Sequence, residues 1–277
     1  QVQHGIVAYA VKYGYVYQRW TQVVNAMIEK EPGNPQLHRL RVIHIFESDY
    51  NSLLAIKMRQ LIHRCEDKRS LNPGTYGSRA HRQASDPTLI EVLQYDYAAL
   101  TRWPSIKFNN DATSCYDRII PSVSNIIARS MGLHKNIAQI HGDMLERATY
   151  RIKTQLGIST GCYSSTTEFP LFGTGQGSCS SPPFWLLNCS KYFDIYDASC
   201  FGASYIDMDG ERELKMGMAG YVDDNGQSNN CKPSDEKQLV QQATHDAQLW
   251  NDVIKLSVEE IEYFCYFLYY TFTVSRL

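Results

Sequence analysis

Three aspartates carry the most chemistry in this chain. Asp223 and Asp224 are adjacent in Tyr221-Val222-Asp223-Asp224, and Asp111 closes the distant upstream segment Phe108-Asn109-Asn110-Asp111. Carboxylates brought to one point raise one another's pKa and cost free energy, so a converging set normally requires a divalent cation. Ligation by oxygen alone favours magnesium or manganese. Sites this far apart in sequence meet only if the fold brings their strands together. The apolar stretch Met216 to Val222 and the strong turn signal Asn225-Gly226 predict a β-hairpin with both aspartates at its tip. Ile106 and Phe108 alternate with polar neighbours as in a strand, and Asp111 falls where that strand gives way to a helical pattern. Each piece alone also has a plainer reading: paired aspartates before Asn-Gly serve many turns for backbone reasons, and Asp111 could be a helix N-cap.

Between the acidic sites lies Gly173-Thr174-Gly175-Gln176-Gly177-Ser178, followed by Ser181-Pro182. A glycine-rich turn before a helix suggests dinucleotide binding, but no acidic residue ends a following strand at the required offset and the lysine of a P-loop is absent. Taken in order, the three elements resemble the palm motifs of reverse transcriptases, especially those of non-LTR retroelements and group II introns. Phe108 to Asp117 resembles the first motif, Gly175-Gln176-Gly177 through Ser181-Pro182 the second, and Tyr221-Val222-Asp223-Asp224 the third. Upstream, Arg39-Leu40-Arg41-Val42-Ile43 is similar to the basic fingers strand, and Tyr76-Gly77-Ser78-Arg79 to the fingers signature before the palm. The resemblance spans about residues 37 to 230.

This resemblance implies an α+β right-hand polymerase, with a fingers-like region over residues 1–105 and a palm over 106–277 whose antiparallel sheet is backed by helices. No thumb is expected after Leu277. The implied activity is RNA-directed DNA polymerisation: a DNA primer is extended on an RNA template from deoxynucleoside triphosphates, with two Mg2+ or Mn2+ ions roughly 3.5–4 Å apart serving an in-line displacement. Asp111 and Asp223 are the implied bridging ligands, Asp224 assists one metal or orients the primer end, and the Ala112 carbonyl is a further ligand. Tyr116 stands at the sugar-gate position, where a ring would clash with a ribose 2′-hydroxyl, while Asp117 reads as structural. Arg39 and Arg41 are expected at the triphosphate. Gln176, flanked by Gly175 and Gly177, is expected at the nascent base pair, since glycine lets backbone approach closely. Tyr221 and Arg79 are expected at template or primer, and Lys57, Arg59, Arg64, Lys68, Arg69 and Arg82 along template phosphates or simply in solvent.

RNA-directed RNA polymerases share the palm, but in them the position of Tyr116 accepts ribose and the second motif is Ser-Gly rich with Thr and Asn. The C-terminal end departs from the family: Ser257-Val258-Glu259-Glu260 and Tyr263-Phe264-Cys265 replace a Gly-Gly turn and a lysine that protonates pyrophosphate, and Lys255 lies on the preceding helix. Tyr263 to Phe272 reads either as a primer-gripping strand pair or as a plain buried strand. The altered tail keeps a second reading open, a decayed relic that only binds nucleic acid. Fused endonuclease or integrase domains would lie outside this sequence.

Composition sets bounds without choosing the function. With 277 residues, 43% hydrophobic and 20% charged, the chain has the make-up of a globular protein with a sizeable core. Residues 1–107 hold 14 basic against 9 acidic side chains, a net +5, and residues 108–277 hold 13 against 20, a net −7, as a basic fingers region over an acidic palm would. Eight cysteines include no C-x-x-C pair, which argues against a zinc module and suits an intracellular, reducing compartment. No apolar run predicts a membrane span, and the opening Gln1 suggests a fragment without a signal peptide.

The expected elements are helical pieces over residues 6–30, helices over 47–66 and from Pro87 through Leu100, and two helices between Val123 and Ala148. A strand over 150–156, a helix over 182–196, a hairpin turning at Asp209-Gly210 and a helix over 238–256 complete the pattern.

Overall fold

The computed structural model describes residues 2–34, 36, 39–112 and 115–255, with residues 2, 3 and 111 described by backbone alone. The tail from Ser257 through Tyr263-Phe264-Cys265 to Phe272, including the expected primer-gripping strands, lies outside the described residues, as does the carboxylate of Asp111.

In chain order the elements are α1 (Val2–Tyr13), β1 (Gln22–Glu29), β2 (Leu40–Ile45), α2 (Ser48–Asp67), α3 (Ser85–Thr101), β3 (Ser105–Asp111), α4 (Cys115–Arg118), α5 (Pro121–Ser130) and α6 (Lys135–Glu146). There follow β4 (Thr149–Thr154), β5 (Gly157–Ile158), β6 (Tyr163–Ser164), α7 (Ser181–Ser199), β7 (Ala203–Ile206), β8 (Glu213–Met216), β9 (Met218–Tyr221), β10 (Asp224–Asn230) and α8 (Glu236–Lys255). The fold is α+β with one mixed sheet and two antiparallel ones, of three and two strands. The chain forms two compact units: the described parts of residues 1–70 and 114–185, and of 71–113 and 186–277. Both of the sequence stretches 1–105 and 106–277 therefore contribute to each unit.

The first unit holds a five-stranded sheet in the order β2-β1-β4-β5, with β6 also on β4. β1 runs antiparallel to β2 and parallel to β4. Its sequence was expected to be helical, and the strand is explained by Val23, Val24 and Ile28, whose β-branched side chains suit a pleated surface paired on both sides. α2 begins where the Glu47 side chain accepts hydrogen bonds from the amides of Asp49 and Tyr50. Its buried face of Leu53, Leu54, Met58, Leu61, Ile62 and Cys65 follows the helical period. Pro121 opens α5, and His134 Nδ1 accepts from Asn136 N at the start of α6. Within this unit His141 of α6 is buried, its ring stacked on Phe184 with centroids 4.2 Å apart.

The second unit is built on the three-stranded antiparallel sheet β3-β10-β9. α8 buries Leu239, Ala243, Trp250 and Val253 along one face, and Trp250 meets the rings of Phe193 and Tyr196 edge-on. The expected β7–β8 hairpin forms, with Gly210 at φ 75 in its loop. Asp246 of α8 is fully buried yet well served: it accepts from the amides of Phe201 and Gly202 and from Asn229 Nδ2.

Candidate active site

β3 and β10 pair over seven residues in a register that sets Asp224 opposite Asp111, Asn225 opposite Asn110 and Gly226 opposite Asn109. β9 and β10 pair with Tyr221 opposite Asp224, which leaves Val222 and Asp223 as a two-residue loop. The aspartates do stand at a hairpin tip, but Asn225-Gly226 is not its turn: both residues lie inside β10. Val222 carries the positive φ, 58°, at the first loop position, the pattern of a type II′ turn. The stronger local turn signal is overruled because it would break the seven-residue ladder to β3. The Asp223 carbonyl accepts from Ala112 N at 3.1 Å and from Asn225 Nδ2 at 3.2 Å, which ties the tip to the end of β3.

The hairpin is backed by the segment after α2, Asn72-Pro73-Gly74 through Gly77. Gly220 N donates to the Gly74 carbonyl and Tyr76 N to the Gly220 carbonyl, each at 2.9 Å, so the segment adds a short parallel bridge to β9. A Cβ on Gly77 would come within 2.5 Å of Val222 N, and one on Gly74 within 2.4 Å of the Met218 carbonyl oxygen. Only glycine permits this approach. Asn72 anchors the segment: its amide donates to Ser190 Oγ, and its Nδ2 to the carboxylates of Asp194 and Asp197 at 3.1 and 2.9 Å. Arg79, expected at template or primer, donates Nη1 to the carbonyls of Asn72 and Thr75, within its own loop.

One face of this sheet borders a cavity of about 410 Å³ lined by Tyr221, Asp224, Asn109, Lys107, Ile90 and Gln94 among others. Lys107 Nζ lies 2.6 Å from Glu91 Oε1, and Ser228 Oγ donates to Gln94 Oε1 at 2.9 Å. Burial lowers the Lys107 ammonium pKa, partly opposed by the Glu91 carboxylate.

The glycine loop belongs to the first unit, with Tyr116, Arg39 and Arg41. The glycines do serve close backbone approach, but the structure gives them partners within the protein itself. A Cβ on Gly177 would meet the His44 carbonyl oxygen at 2.4 Å, one on Gly175 the Phe46 ring at 2.8 Å, and one on Gly173 the Asp117 Cα at 2.5 Å. The loop extends the edge of β2 through His44 N to the Gln176 carbonyl at 2.7 Å, and Gln176 N donates to Asp117 Oδ1 at 3.3 Å. Asp117 therefore has a structural task, and burial raises its carboxyl pKa against the opposing pull of His44. His44, whose imidazole pKa is lowered by burial, had drawn no notice in the sequence. Arg39 and Arg41 are both exposed on β2 or just before it, and Arg39 lies 3.6 Å from Glu31.

Among the described residues, no group of three His, Cys, Asp or Glu side chains could hold a metal ion. The side chains of Asp223 and Asp224 at the tip offer oxygen donors, the ligand chemistry that suits magnesium or manganese. No helix among the described residues is long and apolar enough to cross a membrane.

No family model matches the chain, and no curated protein matches it. Among solved structures it is similar to apo telomerase from Candida tropicalis truncated from its C-terminal domain, at 13% identity and a TM-score of 0.47. The match covers 88% of this chain and 51% of that one, so the chain spans about half the length of that structure.

Proposed function

We propose that this chain is the fingers and palm of an RNA-directed DNA polymerase of retroelement type, which extends a DNA primer on an RNA template. The observation that carries this reading is the β3–β10 register: it sets Asp224 opposite Asp111, and the Asp223 carbonyl is bonded to Ala112 N at the same sheet end. Two acidic segments far apart in sequence thereby share one sheet end, and a shared end is what supports a reading of metal-assisted nucleotidyl transfer.

Asp111, Asp223, Asp224 and the Ala112 carbonyl would hold two divalent cations, which when bound neutralise triphosphate charge and ease deprotonation of the primer 3′-hydroxyl. In the same reading Tyr221 supports the primer end beside Asp224. Arg39 and Arg41 neutralise the triphosphate, Tyr116 excludes ribose, and Gln176 contacts the nascent pair from a loop that Gly175 and Gly177 hold against β2. Arg79 acts at one remove, by fixing the segment that supports the hairpin.

The test is primer extension on an RNA template in the chain's native full-length context, with magnesium and either deoxy- or ribonucleotides, comparing wild type with Asp223→Asn. Deoxynucleotide incorporation should fall by at least about a hundredfold in the variant while template binding persists. Ribonucleotide incorporation would transfer the chain to the RNA polymerases. Template binding without incorporation by wild type would favour the relic.

A further inference from the structure

Gln176 is held through both of its backbone polar groups, and the residues that hold it adjoin Tyr116. Its amide donates to Asp117 Oδ1 at 3.3 Å, and its carbonyl accepts from His44 N at 2.7 Å. Thr174 N donates to the Tyr116 carbonyl and Gly173 N to that of Ile119, each at 2.8 Å. From the start of α7, Ser181 Oγ reaches the carbonyls of Thr174 and Gly175 at 3.0 and 2.8 Å. All of these residues belong to the first unit. Of these bonds to Gln176, the one to Asp117 is made by a side chain and is therefore the one that a substitution removes. Tyr116 and Asp117 are consecutive in α4, so the glycine loop and the ring at the sugar-gate position share one frame.

The surroundings of Asp117 suit a fixed carboxylate. The His44 ring is stacked on Phe46 with centroids 6.0 Å apart and meets Tyr150 edge-on at 5.7 Å. Its Nδ1 is shut off from solvent with no hydrogen-bond partner among the described residues. Burial lowers the His44 pKa, opposed by Asp117 and the Gln176 backbone, and a ring so enclosed is neutral. Burial raises the Asp117 pKa, opposed by His44, the Gln176 amide, Arg118 and Lys30. A bond from an amide to an ionised carboxylate is about twice as strong as one between neutral groups, and misplacing a substrate contact by about 1 Å costs on the order of a hundredfold in rate. We propose that Asp117 is a positioning residue for nucleotide selection, whose carboxylate fixes the loop so that Gln176 meets the base and Tyr116 the sugar of the same incoming nucleotide. The inference rests on the polymerase reading and extends it to a residue that reads from sequence as structural.

The test is steady-state primer extension on an RNA template in the chain's native full-length context. Wild type is compared with Asp117→Ala and Asp117→Asn after circular dichroism has shown unchanged spectra. Alanine removes the acceptor, whereas asparagine keeps an oxygen that accepts from Gln176 N but carries no charge. Asp117→Ala should raise the deoxynucleotide KM at least about tenfold and weaken the preference for deoxy- over ribonucleotides by a similar factor, with kcat within about threefold of wild type. Asp117→Asn should recover most of both. The wild-type KM should rise as the pH falls from about 8 to about 5.5, because the carboxylate that accepts the bond takes up a proton; asparagine does not titrate, so its KM should stay level. A merely structural role would lower the amount of active enzyme and leave the sugar preference untouched. An active wild type with KM and preference unchanged in Asp117→Ala overturns this role and leaves the polymerase reading standing. Absence of incorporation by wild type overturns both.

Discussion

His141 is 1% exposed, its Nδ1 lies 2.9 Å from Asn125 Oδ1, and burial pushes its imidazole down to about 3. An amide oxygen can only accept, so Nδ1 carries the proton of a neutral ring. In the unfolded chain the same ring titrates near 6.5, so between about pH 6.5 and 3 the unfolded state binds the extra proton and stability rises with pH. The contribution is complete above pH 6.5 and is lost as the pH falls toward 3, on the order of 5 kcal/mol in all. Thermal melts of wild type should therefore show Tm dropping steeply across that window, and His141→Gln should flatten the slope whatever it does to Tm at pH 7. An unchanged slope would assign the acid limb to other groups. Nothing in the sequence marked this histidine, because its burial depends on Phe184, a residue of a later helix. The aspartates were legible because their chemistry is in the residue types. The turn that presents them was not: Val222 at φ 58 is a conformation that local rules deny a β-branched residue.

At the scale of elements, the hairpin depends on a segment with no regular structure of its own. Residues 72–77 are held by Asn72 on α7 and by two backbone bonds to Gly220, and Gly77 lies against the strained loop. A methyl at Gly77 would meet the Val222 backbone nitrogen and Cγ2 at 2.5 and 2.7 Å, and the backbone nitrogen cannot move aside without shifting the loop. Gly77→Ala should cost at least about 2 kcal/mol and lower Tm by about 4–8 °C, and primer extension should fall with it. Gly5→Ala is the control, since a Cβ there meets nothing within 4 Å and alanine suits helix α1; it should be neutral or slightly stabilising. Equal melting of the two variants would refute the clamp. The helices α2 and α8 were legible almost to the residue because a single stripe of apolar side chains encodes each of them, whereas α3, which buries only Ala98, was placed by Pro87 at its start. β1 was misread because a short apolar run fits helix or strand equally, and what decides it is β2 on one side and β4 on the other.

For the molecule as a whole, the interleaving of chain segments governs what can be separated. A division at residues 105 and 106 leaves β1 and β2 in one piece and β4, the parallel partner of β1, in the other. It also parts the 72–77 segment from β9, and Asn72 from Ser190, Asp194 and Asp197. Each piece would then expose unpaired strand edges and, in the second, carboxylates stripped of their amide partner, both costly losses. Parallel pairing of strands this distant in sequence also forms late, since loop closure must precede it. Fragments 1–105 and 106–277, expressed separately, should therefore each lack near-UV circular dichroism and a cooperative melt, whereas the whole chain shows both. The second fragment retains Asp111, Asp223, Asp224 and all of the β3-β10-β9 sheet except Ser105, so it is the sharper half of the test. If it melts cooperatively alone, the β9–β10 hairpin needs no support from residues 72–77. If it folds only when mixed with the first fragment, the metal-binding geometry proposed for the tip belongs to the folded whole and cannot be reduced to its motifs.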